Sequence, residues 1–171
     1  MHSRTLQPLN PLDWLLTPAA LCAAASLLLT LPIKVFGLQL PEPVFAMGPA
    51  FAWAVLRPSM LPPFALVGLG LFQDALWGGT TGLWPLCLLL VYGLAFSVRR
   101  VLSGEDFWAL GAWYGAIIAI AFAAGLLLTT VASGGIPSIV GVALQFLATL
   151  VLFPVTWLLI DRFEDAAGRR R

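Results

Sequence analysis

Apolar residues fill this chain in long runs separated by short polar or glycine- and proline-containing breaks. The runs cover about residues 12–33, 43–56, 60–77, 80–98, 107–131 and 137–160. Most approach the ~20 residues that a helix needs to cross ~30 Å of hydrocarbon. The pattern predicts an all-α integral membrane protein: a bundle of six transmembrane helices over 1–160, followed by a charged tail at 161–171. The second run is short, about 14 residues, and Pro49 interrupts it, so it reads either as a tilted short span or as a re-entrant hairpin.

Basic residues decide the orientation and bear on that choice. With both termini inside, the inner segments hold Arg4, Arg57, Arg99, Arg100, Arg162 and Arg169–Arg171, and the outer ones only Lys34. If 43–56 did not cross, Arg57 and everything after it would change sides and the bias would vanish. The charge pattern therefore argues for six crossings. Composition agrees: 60% hydrophobic, 10% charged and a mean hydropathy of +0.95 exclude an ordinary soluble domain. The polar, proline-containing first ten residues and the long first run predict no cleaved signal peptide. Cys22 and Cys87 fall inside predicted spans and read as small buried apolar residues.

Several small-residue stripes invite close helix approach. The first helix has Ala19/Ala23 and Ala20/Ala24, the fifth Gly111, Gly115, Ala119 and Ala123, and the sixth Gly141, Gln145 and Thr149. Prolines 58, 62 and 63 mark the turn into the third helix, Ser103 with Asp106 makes a loose cap for the fifth, and Pro154 is expected to kink the sixth.

Candidate chemistry is sparse. The only histidine is His2, which excludes histidine-based triads and metal sites; Gly68-x-Gly70 lies inside a helix and has no partner lysine. No catalytic, cofactor-binding or metal-binding residue is assigned, and no enzyme activity or nucleic-acid partner is expected. One residue stands out. Asp74 lies inside the third run, about 6–8 Å past the midplane at 1.5 Å per residue. A carboxylate deep in a span costs roughly 2.5–3.5 kcal/mol on insertion scales, so it has a use. Gly70, Asp74 and Gly78 share one helix face. The foremost reading is structural: Asp74 accepts hydrogen bonds from Thr80, Thr81 or the backbone of the Gly78–Gly82 turn. Contact with a partner, or a proton or substrate site, are the other two. Six tryptophans (53, 77, 84, 108, 113 and 157) lie towards helix ends and read as interfacial anchors.

The run WAVLRP at 53–58, followed by GLGLFQDALWGGTTGLWPL at 68–86, resembles the bacterial rod shape-determining protein family MreD. Arg57, Gly70, Asp74, Gly79 and Gly82 stand where that family has its Arg-Pro, its Gly-Leu-x-x-Asp segment and its glycine-rich turn. Thr81-Gly82-Leu83 stands where Leu-Gly-Leu is common. The resemblance implies a non-enzymatic scaffold subunit of the cell-wall elongation machinery in the bacterial inner membrane. Its partners would be MreC, the cell-wall transpeptidase and RodA, with MreB or RodZ at the cytoplasmic face. Structural or partner-contact candidates are then Arg57, Gly70, Asp74, Gly78, Gly79, Gly82, Gly111, Gly115 and Gln145. The alternative is a substrate-binding subunit of an energy-coupling-factor vitamin transporter, with Ala19/Ala23 as its docking face. Such a protein would need several polar ligands in its outer half.

Overall fold

In the computed structural model, the residues described are 13–29, 42–56, 59–78, 81–102, 104–135 and 137–168. Every regular element among them is a helix: α1 (Asp13–Leu29), α2 (Met47–Leu56), α3 (Leu61–Trp77), α4 (Leu83–Leu102), α5 (Phe107–Ser133), α6 (Ile139–Val151) and α7 (Phe153–Gly168). Three stretches are long and apolar enough to cross a membrane: Leu83–Leu102, Phe107–Ser133 and Ile139–Leu158. The last joins α6 to the start of α7. The interruption at Leu152 has a local cause, since Pro154 has no N–H to continue the ladder and sits in the first turn of α7, where none is needed. The kink expected at this proline is thus a break just before it.

Helix ends follow their sequence signals. Prolines 62 and 63 open α3, and Gly78 closes it in the left-handed conformation at φ 64°, its N–H bonded to Asp74 O at 3.0 Å. Asp106 caps α5 by accepting from Ala109 N at 3.3 Å, and Gly134 ends that helix at φ 67°. Ser103, the other half of the expected cap, lies outside the described residues, as do Lys34 and residues 30–41.

The core is built around the shortest helix. α2 has ten residues, about 15 Å of rise, yet everything from Ala46 to Ala54 is buried. It packs against α4, α7 and α3, and α4 in turn packs against α3 and α5. At one end Phe51 meets Tyr114 edge-on at 5.3 Å, and Tyr114 and Phe107 both meet Phe153. At the other, Trp77, Trp84, Phe122 and Phe146 link α3, α4, α5 and α6 through successive edge-to-face contacts. These two ends are called below the arginine end, after Arg99 and Arg100 at the close of α4, and the glycine-turn end, after residues 78–82.

The chain enters α2 without helical hydrogen bonds. Residues 42–44 are irregular and 45–46 form a turn. Val44 N donates to Thr149 Oγ1 at 3.0 Å, Phe45 O accepts from Cys22 Sγ at 3.4 Å, and Val44 O accepts from Met47 N. Thr149 is ten residues into the α6 rod, about 15 Å from its start. Irregular backbone therefore sits about halfway along the bundle, wrapped in protein. That is the condition under which such backbone is tolerated at membrane depth.

Candidate functional site

Asp74 occupies the last turn of α3 and is 4% exposed. Both carboxylate oxygens are engaged by main chain across the turn. Gly82 N donates to Oδ2 at 2.6 Å and Trp84 N donates to Oδ1 at 3.1 Å. Its carbonyl takes the Gly78 amide as well. One residue thus closes α3, spans the turn and caps the start of α4, satisfying N–H groups that have no partner within a new helix. The donors are backbone amides; Thr80 lies outside the described residues.

Gly82 suits this role because its φ of 95° is a conformation that side chains rarely adopt. Gly70, one turn before Asp74, lets α4 come close. A Cβ there would lie 2.4 Å from Pro85 N and 2.5 Å from its Cα, an overlap with backbone that no rotamer relieves. Gly70, Asp74, Gly82 and Pro85 form one latch between α3 and α4.

The remaining candidates lie elsewhere. A Cβ on Gly111 would touch Phe153 Cε1 at 3.0 Å and one on Gly115 would touch Leu150 Cδ1 at 3.3 Å, so these glycines seat the α6–α7 rod. Ala119 and Ala123, further along the same stripe, are exposed. Gln145 is half-buried near the glycine-turn end. Arg57 and Gly79 lie outside the described residues.

Beside the latch is an open groove of about 560 Å³, lined by Glu42, Leu76, Trp77, Trp84, Gly141 and Gln145. Trp77 Nε1 donates to Glu42 Oε2 at 2.5 Å, and the Trp77 and Trp84 rings meet edge-to-face with centroids 4.9 Å apart. A smaller, more enclosed cavity of about 100 Å³ adjoins it behind Trp84 and Gln145, reaching Met47, Cys87 and Thr129. Sequence reasoning missed this groove. The tryptophans read as interfacial anchors. The available signal was Trp77 one turn beyond Asp74 with Trp84 just across the turn.

Sequence reasoning also missed two tight or unsatisfied points. A Cβ on Gly48 would lie 2.6 Å from Thr156 Oγ1, which marks the close crossing of α2 and α7. Gln73, beside Asp74, is 1% exposed, and neither its Oε1 nor its Nε2 has a hydrogen-bond partner among the described residues. Among the described residues no three His, Cys, Asp or Glu side chains are grouped to hold a metal.

No protein-family model, curated protein or solved structure matches the chain.

Proposed function

We propose that this chain is a non-enzymatic membrane scaffold of the MreD type, a subunit of the bacterial machinery that builds the side wall. In this reading it crosses the inner membrane six times, with both termini in the cytoplasm. The irregular residues 42–46 and α2 share the second crossing. The observation that carries the reading is the latch. Three of the five residues on which the resemblance rests, Gly70, Asp74 and Gly82, hold the α3–α4 hairpin, and both oxygens of the Asp74 carboxylate bond to backbone. A carboxylate so engaged supports assembly rather than proton or substrate transfer. The bias of eight basic residues out of nine to one side supports the topology.

The partners in this reading are MreC and, through it, the cell-wall transpeptidase and RodA. The tagged protein, purified from its native membrane in mild detergent, should carry stoichiometric MreC into mass spectrometry. Recovery of an ATPase-coupled energising subunit in its place would overturn the scaffold reading. The groove at the glycine-turn end favours that second reading, a substrate-binding subunit of a vitamin transporter. It brings Glu42, the Trp77 indole and Gln145 together where such a protein would hold its ligand.

A further inference from the structure

The groove beside the latch has the makings of a charge-selective site. Glu42 is half-buried at its rim, and Trp77 Nε1 binds only Oε2 of its carboxylate. Glu42 Oε1 has no hydrogen-bond donor among the described residues, and no ion pair joins it there. The described basic side chains, Arg99 and Arg100, stand at the far end of α4. A carboxylate in partly desolvated surroundings without a counter-charge favours a cation. Two tryptophans form the adjoining wall, and their ring faces attract cations within about 6 Å, most strongly where water is excluded. Gln145, also in the lining, offers a carboxamide that can donate or accept. The volume, about 560 Å³, falls within the ordinary range for small-molecule pockets.

We infer that this groove binds a small organic cation, its ammonium group held between the Glu42 carboxylate and the Trp77–Trp84 wall. Three features converge on that chemistry: a carboxylate with no counter-charge among the described residues, an aromatic pair beside the latch, and a polar amide in the same lining. The Trp84 backbone is fixed by its amide bond to Asp74 Oδ1, and its ring packs edge-to-face between Trp77 and Phe122. The inference does not depend on the scaffold reading: loss of the MreC association leaves it standing, and its own failure leaves that association untouched.

The test uses the full-length protein in lipid nanodiscs, titrated with choline while tryptophan emission is followed. The comparison is 3,3-dimethyl-1-butanol, which has the shape of choline without the charge. Choline should give a saturable change, with the alcohol weaker by about tenfold or more, a factor within the reach of a desolvated cation–π contact plus a carboxylate. Glu42→Gln should lose a similar factor while keeping its circular dichroism and elution volume. Equal responses to choline and the alcohol, a response that never saturates, or unchanged affinity in Glu42→Gln would each overturn the inference. Saturable binding seen only after Lys34→Gln would also overturn it, because the groove would then serve the chain's own lysine. The choline–alcohol comparison needs no variant, so a poorly folding Glu42→Gln does not leave the question open.

Discussion

α2 and α6 are both apolar, but the fold treats them in opposite ways. α2, the shorter, is buried from Met47 to Ala54, with only its last two residues half-buried. In α6 only Thr149 is fully buried, while Ile139, Val140, Leu144, Leu147 and Val151 are exposed, Val151 by 76%. In water the more apolar surface would be hidden, but lipid tails are as apolar as leucine and give no such drive. What draws α2 inside is its small residues, Gly48, Ala50, Ala52 and Ala54, which let α4 and α7 approach, and the irregular backbone before it, which needs Thr149 and Cys22 as partners. The leucines of α6 suit contact with lipid. In this molecule, burial follows fit and hydrogen bonding more closely than hydrophobicity.

The largest effect expected from that contrast comes from pairing two glycines. Gly70→Val would drive its side chain into the Pro85 backbone, with no void to relax into, and should cost about 3 kcal/mol or more. Gly141→Val, on the loosely held α6, meets nothing closer than Ser138 at 3.6 Å and should stay within about 0.5 kcal/mol of the parent. Thermal loss of the monodisperse peak in detergent separates the two. Equal losses would mean that α6 is as tightly packed as the α3–α4 hairpin, and the contrast would fail.

Asp74→Leu should rank next. It leaves the half-buried Gly82 and Trp84 amides without acceptors, at about 1–3 kcal/mol each. Asp74→Asn keeps one carbonyl oxygen and should recover part of the loss. Hydrogen exchange at those two amides reports the effect directly: both should exchange faster in the leucine variant, and only one in the asparagine variant. Unchanged protection in Asp74→Leu would show that the turn is held by something other than the latch.

The latch was legible in the sequence because its residues are close along the chain. Gly70, Asp74 and the glycine turn fall within one hairpin, where four-residue spacing fixes the shared face and a costly carboxylate marks the need for donors. The groove and the α2 entrance were not legible, because each joins residues far apart in number. Glu42 meets Trp77 across 35 positions and Val44 meets Thr149 across 105. Apolar periodicity gave no help there, since helices facing lipid and helices facing protein have the same composition. The apolar runs were found, and three stretches among the described residues, Leu83–Leu102, Phe107–Ser133 and Ile139–Leu158, have the length and apolarity to cross a membrane. How far each is buried depended on contacts between distant residues.

Gln73 makes the finest test of the idea that fit and hydrogen bonding govern burial. Its neighbour Asp74 is buried with both oxygens satisfied, whereas its own carboxamide is buried with neither atom satisfied among the described residues. An unpaired buried amide costs about 1–3 kcal/mol, and removing it in favour of an apolar side chain of similar length removes that cost. Gln73→Met is therefore expected to raise the stability of the isolated protein by about 1 kcal/mol, a small upward shift of the melting transition in detergent. Methionine is flexible enough to fill the same space without strain. A stabilised variant that still assembles with the proposed partners would mark Gln73 as a local defect of the α3 face. Stabilisation of the isolated chain together with weaker assembly would instead show that the amide is kept, at a cost to the monomer, for a group supplied in the complex. A melting transition that falls on substitution would refute the unsatisfied state of Gln73, and with it the rule that unmet hydrogen bonds weigh more here than apolar burial.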